Sequence, residues 1–414
     1  MLNIPIKNDA VIFGILIVIL SFVITSSNSS NPFWKKFYKF IPSLLLCYFI
    51  PSLFNSFGII SSDNSKLYFV ASRYLLPASL VFLTISIDFP AIRKLGSKAL
   101  IMFFTGSIGI VLGGPIAVSL VSIMAPDIVG GAGIEDIWRG LTTIAGSWIG
   151  GGANQAAMKE IFNVEDDIFS TMVAVDVFVA SIWMAFLLYG VGINEKLNIW
   201  FNADSKAINE LKNKIKTYQS NIIRTPSIVD TFQLLSVGFG ITAVAHFAAD
   251  FLSPFIQKIA PQLSRFSLTS HFFWLIVLST SIAALLSFTR LRNLEGVGAS
   301  RYGSLFIYIL VATIGMKMDI LAIFENLGLF VIGVVWMSVH ALLLIVVAKI
   351  IKAPFFFVAV GSQANVGGAA SAPIVASAFH PSLASVGVLL AVLGYAVGTY
   401  AAWLCGILMQ IVLA

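Results

Sequence analysis

The chain has 414 residues, of which 58% are hydrophobic and only 11% charged, and its mean hydropathy is +0.95, more apolar surface than a water-soluble core of ordinary shape can bury. The solvent is therefore lipid, and apolar runs recur along the whole length with no room left for a sizeable soluble domain. The net charge of +6 sits in short connections between those runs, where Lys and Arg act as topology signals, so no nucleic-acid partner is expected.

Taken in order, spans are expected at 11–26, 41–60, 68–87, 100–124, 168–191, 229–251, 272–288, 304–320, 327–348 and 382–413, ten in all. At the N-terminus, Lys7 before an apolar run and the small Ser26 and Ser27 after it outline a signal peptide. Lys35, Lys36 and Lys39 reverse that charge bias and favour an uncleaved helix with its N-terminus outside. Cys47 and Cys405 each lie inside an apolar run, which gives neither a disulfide framework nor a Cys metal site.

Two further apolar segments, 141–162 and 354–379, are interrupted by glycines and amides. The stretch 146–157 (GSWIGGGANQAA) aligns without gaps on 361–372 (GSQANVGGAASA), sharing Gly, Ser, Gly and Ala in register. Arg73-Tyr74 and Arg301-Tyr302 open corresponding spans, and Asp88 and Asp319 close them. The expected organisation is a first repeat over 1–193, a polar cytoplasmic linker over 194–228 and a second repeat over 229–414.

Whether the repeats are parallel or inverted depends on whether the interrupted segments cross the bilayer. If both are re-entrant hairpins, 17 of the 25 basic residues fall on the cytoplasmic side; if both cross, the better orientation gives 15 against 10. The hairpin reading is favoured, and with five spans plus one hairpin in each half the second copy enters inverted. The fold class expected is an all-α membrane protein of about ten helices plus two glycine-broken re-entrant segments. It would lie in the cell (inner) membrane with both termini outside.

Irregular backbone at membrane depth is tolerated only where protein or water satisfies its polar groups, so Gly150, Gly151, Gly152, Gly367 and Gly368 mark a cavity. Close helix packing is the bland explanation, and Gly113-Gly114 fits it. Ser147, Asn154 and Gln155 accompany the first cluster, and Ser362, Gln363, Asn365 and Ser371 the second. Freed carbonyls with amide and hydroxyl oxygens suit a hard monovalent cation such as Na⁺, while half-helix N-termini suit an anionic group.

Asp176 lies inside a span, where an uncompensated charge costs about 2.5–3.5 kcal/mol on insertion scales, so it should face the protein interior as a cation ligand, a proton carrier or a structural acid. Na⁺ could be held at Asp176, Asn154 and Asn365. Asp88, Lys317 and Asp319 sit near span ends and read as structural. Arg73 and Arg301 are anchors first and substrate-carboxylate ligands second. His246, His271, His340 and His380 show no metal spacing, and His340, mid-span, is a proton-relay candidate. No H-E-x-x-H, G-x-S-x-G or Walker A pattern occurs, so neither catalysis nor an ATPase motor is expected, and no cofactor beyond a coupling ion, Na⁺ or H⁺.

With GSWIGGGANQAAMKEIFNV and VAVDVF in one half, and VATIGMKMDI and VGSQANVGGAASAPIVASAF in the other, nearly the whole chain resembles the bacterial integral-membrane family catalogued as domain of unknown function 819. That family is more distantly similar to the cation:proton antiporter and anion transporter grouping, with its sodium-coupled bile-acid, glutamate and citrate carriers. The resemblance implies a transport domain of interrupted helices moving against a scaffold, often in a homodimer. The paired acids that mark proton antiporters there are missing, since Asp176 has no adjacent acid, which favours sodium symport. The function expected is ion-coupled transport of a small anionic or zwitterionic solute. A passive channel and a membrane sensor or scaffold are the alternatives.

Overall fold

The computed structural model describes residues 5–62, 65–126, 134–203, 226–318, 327–380 and 383–413. Asp319 and most of the 194–228 connection lie outside these. The helices in order are α1 (Asp9–Ser27), α2 (Pro32–Phe40), α3 (Ser43–Ser56), α4 (Leu67–Ile85), α5 (Phe89–Lys94), α6 (Ser97–Met124), α7 (Ile134–Ile161) and α8 (Asp166–Gly192). They continue with α9 (Asn194–Phe201), α10 (Ile228–Ile259), α11 (His271–Leu286), α12 (Ala299–Gly315), α13 (Leu329–Ile350), α14 (Phe355–Val366), α15 (Gly368–Phe379) and α16 (Ala384–Leu413).

The protein is all-α and spans the membrane several times. Seven of its described helices are long and apolar enough to cross, or up to nine if each of two bent pairs counts as one span. The expectation of ten rested on hydropathy, which does not register where a helix turns. The run at 41–60 becomes a 14-residue α3 set at 87° to the segment Pro32–Tyr38, and the run at 304–320 becomes a 17-residue α12.

Helix starts follow from local side chains. Asn8 caps α1 by accepting from the Ala10 N–H, Ser227 and Asp230 form a reciprocal capping box on α10, and Asp88 caps α5 while facing Arg292 at 3.5 Å. Asp88 thus serves as a helix cap.

Packing sorts the long helices into two groups. α1, α3, α4, α10, α11 and α12 pack chiefly on one another, and α6, α7, α8, α13, α14, α15 and α16 do the same. Each group draws helices from both halves of the chain. In lipid, small residues rather than a hydrophobic driving force bring helices together. A Cβ on Gly315 of α12 would lie 2.2 Å from the Tyr48 carbonyl oxygen of α3; one on Gly113 of α6 would lie 2.5 Å from the Trp336 ring of α13. Gly113-Gly114 therefore serves close packing, with Gly114 meeting Cys405 and Trp336.

Among the described residues, two ion pairs cross between the groups. Arg73, in a π-helical turn of α4, meets Glu160 at 2.6 Å, and Lys317, just past α12, meets Asp166 at 3.1 Å. Tyr68 donates its hydroxyl to Glu160, and Lys159 pairs with Asp166 at 2.8 Å.

Candidate functional site

The glycine clusters break their helices as left-handed backbone. Gly151 has φ +69° and ψ −172°, a region essentially closed to side chains, and Gly368 has φ +56°. Each segment then folds back on itself. Trp138, early in α7, lies 5.6 Å from Phe162 just beyond its end, and Arg139 donates to the Phe162 carbonyl at 3.4 Å. The ring of Phe356 at the start of α14 lies 5.3 Å from Phe379 at the end of α15. Both segments are therefore helical hairpins rather than bent crossing helices.

The hairpin tips meet. A Cβ built on Gly368 would stand 4.0 Å from the Gly151 Cα, and Gly398 of α16 comes closer still to the first tip, its Cβ position 2.6 Å from the Gly150 Cα. At Gly398 the backbone of the first tip leaves no room for a side chain, whereas at Gly151 and Gly368 the positive φ rather than the contact calls for glycine. Ile149 and Ala364, on the limbs leading into the two breaks, both aim carbonyls at Gly394, reaching 2.6 and 3.5 Å from its Cβ position. Gly151, Gly152, Gly367 and Ser371 remain partly accessible beside this crossing, and Ala370 is exposed.

Asp176 of α8 is 5% exposed and holds the first tip from behind. One carboxylate oxygen accepts from the Trp148 indole at 2.7 Å and the other from the Gln155 amide at 2.9 Å, with Ser147 as a further donor. Trp148 precedes the break and Gln155 follows it, so the carboxylate is a staple across Gly151. The Tyr48 hydroxyl completes the set by donating to Gln155 at 3.3 Å.

Asn154 and Asn365 make matching brackets to unbroken helices. The Asn154 amide donates to the Gly150 and Tyr395 carbonyls, each at 3.1 Å, and accepts from Thr399 at 2.5 Å. Asn365 donates to the Gly361 and Phe103 carbonyls, each at 2.9 Å, and accepts from Ser107 at 2.7 Å. In both cases the partner helix, α16 or α6, presents a carbonyl and a hydroxyl four residues apart.

In the second hairpin, Ser362 accepts from the Trp183 indole at 2.7 Å and meets His340 Nε2 at 2.8 Å, while His340 Nδ1 meets the Gly106 carbonyl at 3.0 Å. Gln363 donates to Ser371 at 2.7 Å, and its Oε1 is buried with no hydrogen-bond partner. The Gln363 amide lies beside Gly367, whose Cβ position is 2.3 Å from the amide nitrogen.

Of the residues singled out in the sequence, Ser147, Gln155 and Asp176 converge on one centre, and the five glycines form the two tips. Asp176, Asn154 and Asn365 are each engaged by a different set of protein donors. Among the described residues, no three His, Cys, Asp or Glu side chains gather as a metal site. Arg73 is paired with Glu160 and stacked 4.5 Å over Phe272, and Arg301 is exposed at the start of α12. His246 bonds the Arg73 carbonyl, and His271 bonds Asp250. Trp148, Trp183, Tyr48, Ser107 and Thr399 also belong to these networks, although composition and spacing do not single them out. For Trp148 a signal existed, an indole N–H inside a glycine cluster at membrane depth, where a buried donor must find an acceptor.

These features define a helical, multi-spanning membrane protein whose centre is a pair of tip-to-tip broken hairpins beside the buried Asp176. The chain belongs to the family described as "Protein of unknown function (DUF819)", whose model matches residues 14–412. It is similar to the "Uncharacterized membrane protein YjcL" of Bacillus subtilis (strain 168), with 24% identity over 365 residues that cover 84% of this chain and 85% of that protein.

Proposed function

We propose that the protein is an ion-coupled secondary transporter of a small anionic or zwitterionic solute, using Na⁺ or H⁺ and alternating access around its paired broken hairpins. The observation that carries this reading is the meeting of Gly151 and Gly368 beside a buried carboxylate. Breaks at membrane depth place carbonyl ends and N–H ends of half-helices in one small volume, so a cation and an anionic group can share it. The carbonyls of Ile149 and Ala364 turned toward Gly394 supply the cation side.

On this reading the halves 1–193 and 229–414 are inverted repeats of five spans and one hairpin each, joined by a cytoplasmic linker with both termini outside. The group containing the hairpins is the transport body and the other group its frame, in a homodimer or alone. The Arg73–Glu160 and Lys317–Asp166 pairs then lock one position of the body against the frame. Asp176 couples the ion to the solute through its hold on Trp148 and Gln155. No catalytic reaction is assigned.

The test is a solute panel on purified protein in liposomes with imposed Na⁺ and pH gradients. Saturable uptake that collapses when one gradient is dissipated is the expected result. Unsaturable flux with single-channel conductance would make the protein a pore instead. Deletion within 206–224 should leave uptake intact, because the linker carries no part of this mechanism.

A further inference from the structure

A cleft of about 480 Å³ lies away from the hairpins, between α1 and α2, lined by Val18, Ser21, Phe22, Thr25 and Trp34 among others. Its walls belong to the outer surface of the protein, with Val18 67% and Phe22 53% exposed on a helix long and apolar enough to span. What fills such a cleft in a membrane is drawn from the bilayer.

Three features select the occupant. First, α2 (PFWKKFYKF) is amphipathic and lies nearly square to α3, the 87° turn placing it along the bilayer surface when α3 crosses. Its aromatic face is docked on α1: Trp34 meets the Phe22 ring at 5.6 Å, and the Tyr38 hydroxyl lies 2.6 Å from that of Ser26. Second, Lys35 and Lys36 stand exposed on the same helix, in a stretch of sequence with no Asp or Glu between Asp9 and Asp63. Third, Ser21, Thr25 and Ser29 set a row of hydroxyls at four-residue spacing along the cleft, which suits the ester and glycerol region of a lipid better than hydrocarbon alone.

We propose that this cleft binds an anionic phospholipid of the surrounding bilayer, an acyl chain lying along Val18 and Phe22 and the phosphate headgroup meeting Lys35 and Lys36. The ligand is recognised by a negative headgroup and a chain together. Neither part alone satisfies the site.

Native mass spectrometry of the delipidated full-length protein, titrated with phosphatidylglycerol, phosphatidylcholine or glycerol 3-phosphate, tests this. Phosphatidylglycerol should be retained in preference to phosphatidylcholine, and glycerol 3-phosphate should neither bind nor compete. Each lysine replaced in Lys35→Gln and Lys36→Gln should weaken phosphatidylglycerol about fivefold, with phosphatidylcholine unaffected. Thr25→Leu, which fills the cleft from a lipid-facing position, should weaken both lipids, and Lys258→Gln on α10 should change neither. Unchanged unfolding midpoints in lipid-free detergent establish that the variants are folded. Preference for phosphatidylglycerol that survives the double lysine variant, lipid binding indifferent to Thr25→Leu, or glycerol 3-phosphate competing as well as the lipid would each overturn the proposal.

Discussion

The two hairpins share a backbone plan but not a chemistry. The first carries its amides after the glycines and is stapled across its break by Asp176, whose carboxylate draws donors from both limbs. The second carries its amides before the glycines, is braced by His340 and Trp183 through Ser362, and leaves the Gln363 Oε1 without a partner. The first tip therefore depends on a carboxylate and the second on an imidazole and an indole. A change of charge at Asp176 bears on the first, and the transport reading puts ion coupling there.

The largest effect is expected from Asp176→Asn. An amide in that place sets an N–H₂ against either the Trp148 or the Gln155 donor, a buried conflict worth about 1–3 kcal/mol. The unfolding midpoint in detergent should fall, and gradient-driven uptake should be lost. Uptake unchanged by this variant would remove Asp176 from the coupling step.

Next come the breaks themselves. Gly151→Ala places a side chain at φ +69°, ψ −172°, which costs about 1–3 kcal/mol in strain. Gly368→Ala stands in the milder left-handed region at φ +56° and should cost less. Equal losses of stability for the two variants would mean that tip contact, not backbone conformation, sets the requirement for glycine. Gly398→Ala probes the contact directly: its Cβ would reach 2.6 Å from the Gly150 Cα, an overpacking of about 1–3 kcal/mol.

Smaller and symmetrical effects are expected at the brackets. Ser107→Ala and Thr399→Val each remove one donor to an asparagine, about 1 kcal/mol apiece. Unequal values from chemical unfolding would show that the hairpins are anchored with different strength. Least costly to stability are Arg73→Gln and Lys317→Gln, because partly exposed ion pairs contribute about 0–1 kcal/mol. Their signature should be a changed uptake rate with nearly unchanged stability.

The sequence made some of this legible for identifiable reasons. Gly150 to Gly152 and Gly367-Gly368 stood out because glycines beside amides are conspicuous in an apolar run, and the basic residues favoured hairpins over crossings. Asp176 could be placed inside because a lone carboxylate in a span has nowhere else to go. Partnership across the chain was not legible. Hydropathy says that Arg73 is near a span end but carries nothing about Glu160, 87 residues on. It cannot report that α2 turns 87° from α3, or that helices from both halves interleave into two groups. Those outcomes depend on which small residues face each other, a property of pairs of helices rather than of any one.

The asparagine brackets have a mechanical consequence. Asn154 is tied to α16 and Asn365 to α6, each by a carbonyl and a hydroxyl one helical turn apart. Two attachment points per bracket resist rotation as well as sliding, so neither tip can swing as a free flap. The hairpins take on the stiffness of long unbroken helices next to them, and a displacement of α6 or α16 carries the tips along undeformed. A soft, glycine-rich centre is in this way made to behave as part of a rigid body.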